Sequence, residues 1–105
     1  MEEYFENEML FEGELYYPIK HPSFMNTDLV ISESGKILNK KTKRLRKIRE
    51  HGNFMYGNRK SVNVGRLVGL TFLTGEEDNY EILSKKKIKH IDGDNSNNHI
   101  NNLRW

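Results

Sequence analysis

The sequence predicts an α+β domain built from small antiparallel β-hairpins around one short central helix. Three observations carry that reading. Short apolar runs recur in pairs, each pair split by a Gly-containing turn. The stretch Arg66-Leu67-Val68-Gly69-Leu70-Thr71-Phe72-Leu73 holds too many large apolar residues for one strand face and reads as a buried helix, stopped near Gly75. The tail places Asp, Gly, Asn and Ser between Ile88/Ile91 and Leu103/Trp105, which reads as strand, polar loop and second short strand.

In chain order, residues 1–27 read as an acidic, aromatic N-terminal arm. Tyr4, Phe5, Met9, Leu10 and Phe11 sit among glutamates. Phe5 and Met9 would share one face of a short amphipathic helix running to about Glu12, whose first turn favours acids. Residues His21 to Thr27 form a Pro-containing turn region. Leu29-Val30-Ile31 and Lys36-Ile37-Leu38, joined through Glu33-Ser34-Gly35, make the first hairpin. Phe54-Met55-Tyr56 and Ser61-Val62-Asn63-Val64, joined at Gly57-Asn58, make the second. Beyond the helix, Glu76 to Tyr80 is an acidic loop, and Ile82 and Leu83 return to the core. Residues 28–105 thus form the main domain, with 28–60 as a basic strand-turn-strand module and 61–105 as the core around the tail.

Composition bounds the function classes. At 105 residues the chain supports a single modest core. It has no cysteine, which excludes disulfides and thiolate metal sites. No apolar run approaches membrane-spanning length and the acidic start is unlike a signal peptide, so the expectation is a soluble, cytoplasmic protein with no membrane partner. Ala and Gln are absent while Asn, Lys and Ile are abundant, a bias that suits an AT-rich genome such as many phages have.

The net charge of +2 hides an asymmetry: residues 1–33 carry eight acids against Lys20 alone, and the remainder carries sixteen bases against seven acids. Seven of the eleven residues from Asn39 to Arg49 are basic: Lys40, Lys41, Lys43, Arg44, Arg46, Lys47 and Arg49. A second cluster, Lys85, Lys86, Lys87 and Lys89, leads into the tail, and Arg104 closes it. Such patches on a small domain are footprints for phosphate, although most charge runs are simply solvated.

The tail carries a resemblance. His90, Asp92-Gly93, Asn97-Asn98 and Asn102-Leu103-Arg104-Trp105 stand at the spacing of the HNH endonuclease core, and the stretch resembles the phage intron-encoded homing type in particular. Upstream, Val64-Gly65-Arg66-Leu67-Val68-Gly69-Leu70-Thr71-Phe72 is similar to the family's Val-His-Arg-Leu-Val-Ala-x-x-Phe segment. Leu29 to Ile37 is similar to the small β module that commonly precedes it. The resemblance implies a ββα-metal unit in which His90 is the general base and Asn102 orients the imidazole or pins the loop.

The same resemblance implies a loss of metal chemistry. Lys89 stands where active relatives have Asp or Asn, and an ammonium donates only and repels a divalent cation. The second ligand of the family follows the Trp of the motif, so a chain read to Trp105 is expected to be a truncated unit without it. Gly65 replaces a frequent His. Asp92, Asp94 and Ser96 start like a calcium loop, but Asn97 and Leu103 stand where its glycine and glutamate belong. No metal ligand is therefore assigned, and no cofactor is expected unless cleavage survives, in which case Mg²⁺ would be needed.

Three functional expectations follow. The first is a catalytically degenerate HNH-like protein, of phage origin, that binds nucleic acid (DNA ahead of RNA) through the twelve basic residues above. The second is a phage inhibitor that captures a host nucleic-acid-processing protein in the host cytoplasm, with Tyr4, Phe5, Phe11, Tyr16 and Tyr17 as aromatic anchors. The third is an active, metal-dependent nicking endonuclease using His90 and Asn102.

Overall fold

The computed structural model describes residues 8–24, 26–57, 60–74, 80–83 and 85–105. Five short strands form one antiparallel sheet in sequence order: β1 (Met9–Phe11), β2 (Glu14–Pro18), β3 (Leu29–Ser32), β4 (Ile37–Asn39) and β5 (Arg44–Leu45). Two further antiparallel pairs complete the β structure, β6 (Asn53–Gly57) with β7 (Lys60–Asn63) and β8 (Lys89–His90) with β9 (Leu103–Arg104). Between these pairs lie helix α1 (Val64–Phe72) and a single helical turn, α2 (Tyr80–Leu83). The α+β class and both expected hairpins are present. Val64 opens the helix rather than ending the second hairpin, because Asn63 caps the helix by accepting from the Gly65 amide at 2.8 Å.

The N-terminal stretch differs from expectation. Met9–Phe11 is a strand, not the end of a helix, since Glu12 and Gly13 both take positive φ, 49° and 85°. Two consecutive residues of that kind make the tight turn whose twist matches a hairpin. β2 then pairs with β3, Tyr17 standing opposite Ile31, so the expected arm contributes two strands to the central sheet. Residues 1–7 lie outside the described residues.

The pleat of the sheet divides the core in two. Leu29, Ile31 and Ile37 point to one face, where they meet Phe24, Phe54, Val64, Leu67, Val68 and Leu103. Val30 and Leu38 point to the other and pack with Tyr16, Met9 and Phe11. Helix α1 is buried along most of its circumference, which explains its dense apolar sequence. Trp105 closes the far end of that helix. Its indole Nε1 donates to the Leu73 carbonyl at 2.8 Å, and its ring lies so close to Gly69 that a Cβ there would come within 2.9 Å. Among the described residues, no helix is long and apolar enough to cross a membrane.

Candidate nucleic-acid interface and the His90 centre

β8 and β9 hold the two ends of a loop running from Ile91 to Asn102, with His90 opposite Leu103 and Lys89 opposite Arg104. The loop is tied by its own Asx side chains. Asp92 is the hub: its Oδ2 accepts from Asn97 Nδ2 at 2.8 Å, and its Oδ1 accepts from Asn102 Nδ2 and from the Asp94 amide, each at 2.8 Å. These donors, Asn97 first, hold the Asp92 carboxyl below the ordinary carboxylate range. Asp94 in turn accepts from the Ser96 hydroxyl at 2.6 Å and the Ser96 amide at 2.9 Å, and these bonds lower its carboxyl too.

Asn102 is fully engaged in this network. Besides Asp92, its Nδ2 donates to the Asn97 carbonyl at 2.9 Å, and its Oδ1 accepts from the Asp92 amide at 3.1 Å. Of the two roles that the resemblance implied for Asn102, its hydrogen bonds are those of pinning the loop. The imidazole of His90 is held instead by Asn98, whose Oδ1 lies 2.6 Å from His90 Nε2. An amide oxygen only accepts, so in this pairing Nε2 is the donor, which leaves Nδ1 as the ring nitrogen that could accept.

Asn98 is itself locked in place, only 5% exposed. Three glycines surround it, two from separate turns (Gly35 and Gly52) and one from the start of α1 (Gly65). A Cβ added to Gly35 would lie 3.0 Å from Asn98 Cβ, one on Gly52 2.5 Å from Asn98 Nδ2, and one on Gly65 2.7 Å from Asn98 Oδ1. The same point above Gly65 is 2.9 Å from His90 Nε2 and 2.8 Å from Asn63 Oδ1. The space that a side chain at position 65 would need is thus filled by the Asn98 amide. A further backbone bond, from the Ile100 amide to the Glu33 carbonyl at 2.8 Å, seats the loop on the β3–β4 turn. Sequence reasoning did not single out Asn98. Its signal was the Asn97-Asn98 pair together with a glycine at position 65.

The resemblance implies a divalent cation, and the carboxylates that follow His90, those of Asp92 and Asp94, are committed to the turn. Among the described residues, no three His, Asp or Glu side chains are grouped closely enough to hold a metal ion.

The basic side chains are placed very differently. Lys40, Lys41 and Lys43 lie in the β4–β5 turn, Arg44 on β5, and Arg46, Lys47 and Arg49 on the extended chain beyond it, all exposed. Lys85, Lys86, Lys87, Lys89 and Arg104 are exposed as well. Lys36 pairs with Glu14 at 3.2 Å, and among the described residues none of these twelve cations shows a carboxylate partner. Arg46 is steadied by the face of Phe54, with its guanidinium carbon 5.3 Å from the ring centre.

The aromatic anchors expected of a protein-binding arm fare less well. Tyr16 is 1% exposed, because the pairing of β2 with β3 turns it into the second core cluster, so it is not an interface anchor. Phe11 packs edge-on against it, and Tyr17 packs edge-on against Phe72 with centroids 5.3 Å apart. Tyr4 and Phe5 lie outside the described residues.

No family model and no curated protein matches the chain. Among solved structures it is similar to one described as DNA binding and cleavage by the HNH homing endonuclease I-HmuI, with a TM-score of 0.59 and 24% sequence identity. The likeness covers 86% of this chain and 51% of that one, so the chain spans about half of the other protein's length. The fold is therefore HNH-like, a mixed α+β arrangement of short antiparallel strands and few helices.

Proposed function

We propose that this protein binds nucleic acid, with DNA as the preferred partner, through its uncompensated cationic surface, and that its HNH-like centre is degenerate for metal-dependent cleavage. The observation that carries the reading is the pairing of Lys89 directly opposite Arg104, next to His90. Like charges facing each other across two strands repel, and an anionic partner lying over both relieves that repulsion. The exposed run from Lys40 to Arg49 extends the same chemistry, and the partner in the structurally similar protein is DNA. Phosphate contacts of this kind position a protein on nucleic acid without reading sequence. Degeneracy is supported by Lys89 in the position before His90, where the resembled family has Asp or Asn, and by carboxylates tied into the loop.

The test is fluorescence anisotropy with a duplex oligonucleotide over a salt series. The logarithm of affinity should fall linearly with that of salt, with a slope of roughly −0.9 per phosphate neutralised. Lys89→Ala combined with Arg104→Ala should reduce that slope. Affinity that ignores salt would refute the reading.

One observation favours a second reading, residual nicking. With Nε2 tied to Asn98, the imidazole of His90 is oriented and its Nδ1 has no hydrogen-bond partner among the described residues, the geometry a general base needs. Nicking of supercoiled plasmid in Mg²⁺ that disappears in His90→Ala would establish this reading, and equal nicking by both proteins would reject it.

A further inference from the structure

A groove of about 550 Å³ lies between the basic chain leaving β5 and the β6–β7 hairpin, apart from the His90 loop. Its floor follows from strand alternation. Asn53 stands opposite Asn63 and Met55 opposite Ser61, so these four share one face of the hairpin, while Phe54, Tyr56 and Val62 turn into the core. Its wall is the segment Lys47 to Glu50, folded back along the hairpin by a tight turn. His51 and Gly52 take positive φ of 63° and 74° there, and the Arg49 amide donates to the Asn53 carbonyl at 2.8 Å. The groove is thus held in shape by backbone.

Its lining is chemically divided. Lys47 and Arg49 are exposed cations on the wall, and Ile48 and Met55 supply half-buried apolar surface. Glu50 is an exposed carboxylate at one end. The side chains of Asn53 and Ser61 have no hydrogen-bond partner among the described residues, so they are available to a ligand. A duplex offers phosphates to the wall, but its base faces are stacked against each other and cannot reach Ile48 or Met55. An unpaired nucleotide can satisfy both, since its phosphate meets cations while its base lies on soft apolar atoms. The carboxylate fixes which way round it sits, because Glu50 repels phosphate and accepts hydrogen bonds from an exocyclic amino group.

Resting on the nucleic-acid reading above, we propose that this groove seats one unpaired nucleotide of single-stranded DNA, with phosphate on Lys47 and Arg49, base on Ile48 and Met55, and amino edge toward Glu50. The same hairpin face ends at Asn63, whose Oδ1 borders the Gly65 gap beside His90 Nε2. A strand seated in the groove is thereby directed along the hairpin toward the histidine.

The experiment measures anisotropy of the full chain with three labelled probes: an oligo-dC and an oligo-dT of equal length, and a duplex. Wild type should bind oligo-dC several-fold more tightly than oligo-dT, since only cytosine carries an amino group on its pairing edge. Glu50→Ala should abolish that preference by strengthening oligo-dT binding, because a repulsive charge is removed, while oligo-dC gains less. A purely electrostatic surface would instead strengthen both equally. Met55→Ala should weaken both single strands by about fivefold, a fraction of what base stacking on an aromatic contributes, and leave the duplex unchanged. Equal affinity for oligo-dC and oligo-dT, or a duplex that loses as much as the single strands on Met55→Ala, overturns the groove. If the duplex still binds with the expected salt dependence in that case, the nucleic-acid reading stands alone, whereas no binding of any probe removes both.

Discussion

Replacing Gly65 by Ala puts the packing around His90 to a direct test, because two physical effects predict opposite signs. Gly65 is the second residue of α1, and Ala is the better helix former by up to about 1 kcal/mol. Against this, the new Cβ would lie 2.7 Å from Asn98 Oδ1, 2.8 Å from Asn63 Oδ1 and 2.9 Å from His90 Nε2. All three atoms are already hydrogen-bonded, so each must move off its partner. Overpacking of a tight site costs roughly 1–3 kcal/mol, and disturbing the Asn63 cap adds about 1 kcal/mol. The net expectation is a loss of about 2 kcal/mol, or a melting temperature lower by about 10 °C for a domain of this size. Thermal denaturation followed by circular dichroism reads this directly. Combining the substitution with Asn98→Ala should cost about 1 kcal/mol less than the two single changes added together, since one clash is removed. A Gly65→Ala protein that melts at or above wild type would show that the gap beside His90 is not filled as described.

Two titrations follow from the same hydrogen bonds. Donors from Asn97, the Asp94 amide and Asn102 depress the Asp92 carboxyl, so the order it gives the loop is complete above the ordinary carboxylate range and lost as pH falls through the lowered value. Protection of the Asp94 backbone amide and the Asn102 side-chain amide should therefore drop in strong acid, below about pH 4, and an identical acid limb in Asp92→Asn would contradict this. Burial, with the nearby Glu14 carboxylate, pushes the Tyr16 phenol up to about 12. Its contribution to stability stays whole up to about pH 10 and disappears as pH rises through about 12. Phenolate absorbance should thus show one late tyrosine that vanishes in Tyr16→Phe, and five tyrosines titrating together would count against the burial of this ring.

The parts of the fold legible in the sequence are those encoded locally. Gly35 marked the first hairpin turn and takes φ +88°, and the density of Leu67, Val68 and Leu70 marked a helix buried on several sides. Met9–Phe11 was not legible. Three residues cannot distinguish a helical from an alternating pattern, and the pairing of β2 with β3 that builds the sheet beneath them is a non-local choice. β5 was hidden inside a run of cations because its strand is only two residues long and exposed on both.

The candidate site divides the same way. Spacing alone located His90 and the Asx loop, and the wiring inside the loop follows from the habit of Asp and Asn to bond nearby backbone. The grip of Asn98 on His90 could not be read, because its cradle is assembled from Gly35, Gly52 and Gly65, which meet only in the folded chain. Tyr16, expected as an anchor if the arm binds a protein, could not be placed from sequence for a related reason: the strand pairing that sends its ring inward is non-local.

The seat of Asn98 has a consequence for how this architecture can change. Two turns and the start of a helix, from different parts of the chain, converge on one carboxamide, and at none of their glycines does a methyl group fit without crowding it. The upstream β module and the histidine-bearing tail are therefore not interchangeable pieces that recombination could shuffle separately. Grafting either onto a foreign counterpart would leave an amide with nowhere to lodge, so the two halves are constrained to be inherited together.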